Sequence, residues 1–256
     1  MPYIAVGNEK VFYAYHASKR LEAASLILIH GAGGNHQLWG HAVRSVQTAD
    51  VYAIDLPGHG RSGGAGRSQI AEYAAFVIDF MDALQLERAV VVGHSMGGAT
   101  AITAALEYPE RVSGLVLVGT GARLRVLQSI LDGTLSDFEG TISLICEYAY
   151  SPHAPARLVR EGQRQMLDVA PRTVHDDFAA CNAFDVMGRL GEIRCPTLVI
   201  CGTEDALTPA KYSGFLVDGI DGAELEMIKG AGHMVMTEEP AAVSEAIEAA
   251  LQGWGL

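Results

Sequence analysis

The chain has 256 residues, 49% of them apolar, which is the size and composition of one α/β domain carrying an insertion. A formal charge of −12, with only 18 Lys and Arg and no run of them, argues against nucleic acid or an anionic membrane as partner. No apolar run is long enough to span a bilayer, and Met1-Pro2-Tyr3-Ile4 lacks the basic-then-apolar start of a secretory signal, so a cytoplasmic location is expected.

Tyr3–Val6 and Val11–His16 are β-type runs around the turn signal Gly7-Asn8. Leu26–Ile29 is apolar without alternation, as in a parallel strand covered on both faces. It runs into His30-Gly31-Ala32-Gly33-Gly34, and a helix is expected over 36–46. Val51–Ile54 is the next strand and ends in Asp55-Leu56-Pro57-Gly58-His59-Gly60-Arg61-Ser62. Residues 69–86 have helical apolar spacing. Val90–Val92 leads into Gly93-His94-Ser95-Met96-Gly97-Gly98 and an Ala-rich helix that Pro109 closes. Leu115–Val118 is a further buried strand.

The strand–helix rhythm then stops. Residues 121–190 show helical segments over 123–131, 142–150 and 156–169, broken by Pro152, Pro155 and Pro171. They are read as a helical lid inserted in a core of residues 1–120 and 191–256. Thr197–Cys201 restores the strand pattern and ends in Gly202-Thr203-Glu204-Asp205. A helix is expected over 209–217, a strand over Glu224–Ile228, then Gly230-Ala231-Gly232-His233 and a closing helix over 238–251. The implied fold class is α/β: a mostly parallel, doubly wound sheet of about eight strands with helices on both faces. In such sheets chemistry collects at the carboxyl ends of the strands.

Gly93-x-Ser95-x-Gly97 between a strand and a helix is the pattern of a nucleophile elbow. The turn is sharp enough that a side chain at 93 or 97 would collide, and it lifts the Ser95 hydroxyl clear of the sheet. The alternative is a tight turn whose serine only caps the helix. A serine needs a base, and His233, in a glycine-flanked loop after the last strand, is placed to supply one. The base needs a carboxylate. Asp205 is the candidate and Glu204 its neighbouring rival. The four cysteines, Cys146, Cys181, Cys195 and Cys201, form no Cys-x-x-Cys pair and are read as free thiols, with no metal site. Gly58-x-Gly60-x-x-Gly63 matches a dinucleotide fingerprint, but no helix opens after it, so no nucleotide cofactor is expected.

Four motifs, His30-Gly31-Ala32-Gly33-Gly34, Asp55–Ser62, Gly93–Gly98 and Gly232-His233, in this order and at strand ends across nearly the whole chain, resemble the α/β-hydrolase fold superfamily, in its serine-nucleophile, esterase-like branch. The resemblance implies a triad in the order Ser95, Asp205, His233. It also implies an oxyanion hole from the backbone N–H groups of Met96 and of Ala32, with Gly33 as the alternative to Ala32. His30 and His59 are read as structural. Trp39, Leu124, Leu127, Ile145, Met187, Leu207 and Met234, with Gly33, are candidates to line a substrate pocket or to serve as ordinary core. The expected activity is carboxylesterase-like hydrolysis of short to medium esters through an acyl-enzyme. It needs no cofactor, takes a small-molecule ester substrate, and is carried by a monomer or homodimer. Carbon–carbon bond hydrolases, enol-lactonases and cofactor-free haloperoxidases share these motifs, and a non-catalytic receptor is the alternative from another class.

Overall fold

A computed structural model describes residues 3–20 and 23–256; the start of the expected core at Met1-Pro2 lies outside them. Eight strands form one sheet in the order β1-β2-β4-β3-β5-β6-β7-β8. They are β1 (Tyr3–Val6), β2 (Glu9–His16), β3 (Ala24–Ile29), β4 (Ala49–Ile54), β5 (Ala89–His94), β6 (Val112–Val118), β7 (Thr197–Gly202) and β8 (Glu224–Ile228). β1 and β2 pair antiparallel; β3 to β8 run parallel. β4 and β5 lie on opposite sides of β3, so the chain reverses its direction of winding there. The reversal opens a crevice beyond the carboxyl ends of β3 and β5.

Both faces of the central strands are buried, which is why their sequences do not alternate in polarity. Ile27, Ile29, Val91, Leu115 and Leu117 point into one core layer, packed by α2 (Ile70–Ala83) and α3 (Met96–Glu107). Leu26, Leu28, Val90, Val92, Val116 and Val118 point into the other, closed by α1 (His41–Arg44) and the last helix, residues 240–253.

Between β6 and β7 come four helices: α4 (Gln128–Ser136), α5 (Phe138–Ala149), α6 (Ala156–Leu167) and α7 (Pro171–Ala183). They enclose a separate small core of Ile142, Ile145, Cys146, Val169 and Val174. Pro171, expected as a break, instead opens α7 at its first turn, where its missing N–H costs nothing. α8 (Ala210–Gly219), α9 (Val235–Glu238) and α10 (Pro240–Gly253) complete the chain. The expected helix over 36–46 is a single 3-10 turn, His36–Leu38, followed by the four residues of α1. Gly40 divides them where it packs on Pro240 and the carbonyl of Met236, an approach that leaves little room for a Cβ. Among the described residues no helix is long and apolar enough to cross a membrane.

Candidate active site

Ser95 links β5 to α3 with φ +53 and ψ −114, a conformation that side-chain-bearing residues rarely hold. The turn is possible because a Cβ on Gly93 would strike the carbonyl of Gly97, and one on Gly97 the carbonyl of Ile29. The glycines thus let α3 press against the ends of β5 and β3. The backbone of Ser95 is clamped. Its N–H donates to Val118 O at 3.0 Å, and its carbonyl accepts from Gly98 N, Ala99 N and Thr120 Oγ1. Its hydroxyl makes no hydrogen bond to the described residues and faces the cavities described below.

His233 and Asp205 come from the loops after β8 and β7. His233 Nδ1 lies 3.0 Å from Asp205 Oδ2, and both side chains are buried. Leu207 N, Thr208 N and Thr208 Oγ1 also donate to the carboxylate, at 2.9, 2.7 and 2.8 Å. Burial alone would raise Asp205; the charge and hydrogen bond of His233, with the Thr208 donors, outweigh it and hold the carboxyl well below the usual range. With Asp205 ionised, Nδ1 of His233 carries the proton and Nε2 is the ring atom left for chemistry. Glu204 is exposed, its backbone N–H bonded to Ala231 O.

His94, next to Ser95, supports the same loop. Its Nε2–H donates to the carbonyl of His233 at 3.0 Å. Burial, followed by the neighbouring His233, lowers His94 to about 3 and keeps it neutral. Its spacing in the sequence gave no hint of that contact.

The loop after β3 divides its N–H groups. Gly34 N donates to Gly31 O and Gly33 N to Asp177 Oδ2 at 2.8 Å. Ala32 N and Met96 N find no acceptor among the described residues. Asp177, on α7, is fully buried and also accepts from Tyr73 Oη and His59 Nε2. His59 Nδ1 faces the carbonyl of Pro57, so both ring nitrogens meet acceptors and the fully bonded imidazole carries two protons. Burial opposes that charge, but Asp177 prevails and His59 is raised above its ordinary value. His30 is the opposite case. Its Nε2 accepts from Leu56 N, and burial lowers it to about 4. The Gly58–Gly63 segment wraps the buried Asp55 carboxylate, which accepts from His36 N and Arg61 N. Among the described residues no group of three or more His, Cys, Asp and Glu is arranged to hold a metal ion.

Two cavities meet at Ser95. Ala32, Ser95, Ile145, Phe178, Leu207 and His233 line both. The inner chamber has a volume of about 70 Å³ and the outer cleft about 450 Å³. Of the expected pocket residues, Gly33 and Met234 line the chamber, Leu124 and Leu127 the cleft, and Ile145 and Leu207 both. Trp39 and Met187 line neither. Trp39 is wholly buried in the core layer beneath α1, and Met187 is on the surface. Sequence reasoning missed Tyr150, Gln165 and Phe178, which α5, α6 and α7 bring in; nothing in their local spacing marks them.

Known proteins agree with this architecture. A thermophilic esterase of known structure is 36% identical, with a TM-score of 0.87, covering 99% of this chain and 97% of its own. A hydrolase of Paraburkholderia phymatum named for 2-hydroxy-6-oxononadienedioate and 2-hydroxy-6-oxononatrienedioate is 31% identical over 84% of this chain and 82% of its own. RutD of Azorhizobium caulinodans, named for carbamate hydrolysis, is 29% identical over 96% of each chain. Residues 24–240 match the α/β-hydrolase fold family, and the chain belongs to it.

Proposed function

We propose that the chain is a serine hydrolase of carboxylic esters with short to medium acyl chains, acting through Ser95, His233 and Asp205. The observation that carries this reading is the strained turn at Ser95, which presents its hydroxyl to the same two cavities as a histidine paired with a buried carboxylate. His233 Nε2 takes the proton of Ser95 as Oγ bonds to the ester carbonyl carbon. The carbonyl oxygen becomes an oxyanion held by the free N–H groups of Ala32 and Met96. Gly33 is the weaker candidate because its N–H is already given to Asp177. As the tetrahedral adduct collapses, the C–O bond to the alcohol breaks and His233 returns the proton to that oxygen. Water, deprotonated by the same nitrogen, then releases the acid and restores Ser95. Residues 121–190 act as the lid over both cavities.

The test is incubation with a fluorophosphonate, location of the adduct by peptide mass, and a panel of p-nitrophenyl esters of increasing chain length. An adduct on Ser95 with ester turnover, both absent in Ser95→Ala, is the expected result. An adduct without ester turnover points to cleavage of a dienoic diketone acid or an enol-lactone. Neither adduct nor turnover points to a binding protein.

A further inference from the structure

Two residues lining the inner chamber each carry a polar atom with nothing to bond. Tyr150 Oη and Gln165 Oε1 are both enclosed, and neither has a hydrogen-bond partner among the described residues. Both residues are more than nine-tenths buried and line the chamber that ends at Ser95. Polar groups buried without a partner are uncommon because they forfeit their bonds to water.

Both atoms are held in place. Gln165 Nε2 donates to Glu161 Oε1 at 3.1 Å, which fixes the amide and turns its oxygen to the other side. Tyr150 caps α5 between two anchors: Ala149 O accepts from Met234 N, and Ser151 N donates to Glu238 Oε2. Its ring crosses α6 at Gly162, where a Cβ would collide with the hydroxyl. Glycine inside a helix is destabilising, and here it makes room for the phenol. Burial pushes the Tyr150 hydroxyl above its ordinary value, so it keeps its proton.

The remaining lining is largely apolar: Leu38, Ile145, Cys146, Ala149, Met166 and Met234. At roughly 10–15 Å³ per water-sized group the chamber takes on the order of five. A short chain fits if it brings one group able to donate to Gln165 Oε1 and accept from Tyr150 Oη, and a hydroxyl does both through one atom. The direction of the substrate follows from the order of the chemistry. The alcohol leaves before the acid does, so it occupies the cavity that opens to solvent. That is the outer cleft, which ends at Leu127, 72% exposed, whereas most of the chamber lining is buried. The acyl arm therefore enters the chamber.

We propose that this chamber is an acyl subsite selecting short hydroxyacyl groups, with Tyr150 and Gln165 as the specificity-determining pair; the inference rests on the ester-hydrolase reading above. The test compares kcat/KM for p-nitrophenyl 3-hydroxybutyrate, each enantiomer, with p-nitrophenyl butyrate, both corrected for their rates with hydroxide. The wild-type protein is expected to favour one hydroxybutyrate by roughly tenfold or more. Tyr150→Phe and Gln165→Met, each close in shape to the native side chain, are each expected to bring that ratio toward one. Labelling of Ser95 by a fluorophosphonate verifies that the variants are folded. A wild-type ratio near one, as for a chamber that only holds water, overturns the subsite, and so does a preference that survives both substitutions. Butyrate turnover with a labelled Ser95 in those cases leaves the ester-hydrolase reading standing. Loss of both turnover and label in the wild type overturns the two together.

Discussion

At residue 205 a carboxylate receives four donors, and only one of them is the imidazole of His233. The other three belong to Leu207 and Thr208 and fix the carboxylate before any substrate arrives. Asp205→Asn keeps an oxygen for the two backbone N–H groups, so the loop is expected to hold. Its amide nitrogen, turned toward His233 Nδ1, would force the proton onto Nε2 and leave no base for Ser95. The expected loss is about 10⁴ in kcat/KM, by analogy with the same change in other triads. Glu204 is exposed, and Glu204→Gln is expected to cost less than about twofold, in the range of surface changes remote from such features. Steady-state kinetics on both variants checks the pair, and a larger loss in the Glu204 variant would move the acid to that residue.

At the scale of elements, the strands were legible because each central run is apolar on both faces and ends in a glycine-bearing loop. Ser95, Asp205 and His233 could be named for the same reason: each sits at the end of such a run. Of the four helices from 121 to 190, α5 and α6 were legible near their observed bounds, α4 begins five residues later than expected and α7 was not marked, and the facing of none was legible. Which turn of α6 looks toward Ser95 depends on how α5 and α7 hold it, and Tyr150 and Gln165 follow from that packing. Trp39 shows the converse, an aromatic beside the right loop that the core takes for itself. Asp177 was likewise silent in the sequence, yet it ties α7 to the loop after β3 through Gly33, to the loop after β4 through His59, and to α2 through Tyr73. Asp177→Asn strips the buried His59 of its counter-ion, so the imidazole must hold its charge unpaired or give up its proton. The expected cost is about 3 kcal/mol in urea unfolding, the range for removing one partner of a buried pair. A cycle with His59→Gln should return most of that cost, because the second change removes the stranded imidazole. A cycle with simple additivity would show that the ion pair does not carry the tether.

For the whole molecule, the buried histidines set how stability follows pH. His30 is lowered to about 4 and His94 to about 3, chiefly by burial, while the unfolded chain titrates both near 6.5. Their contribution is complete above 6.5. Below it the unfolded chain gains protons that the folded chain refuses, so stability falls with pH at about 1.4 kcal/mol per unit for each group. His59 runs the other way. It is raised by Asp177, so its contribution is complete below 6.5 and fades as pH rises through its folded value. The two effects place the stability maximum above pH 6.5. Asp55 and Asp205 are lowered and lose their contribution only further into acid, as pH falls below the ordinary carboxylate value near 3.8. The interval from pH 6 to 5 therefore isolates the histidines, and urea midpoints there should give a slope approaching about 2.7 kcal/mol per pH unit, two protons' worth. His94→Gln removes one titrating group and should lower the slope by about 1.4 kcal/mol per unit. An unchanged slope in that variant would mean that His94 takes up its proton in the folded protein. The imidazole would then no longer be the neutral donor that holds the His233 loop.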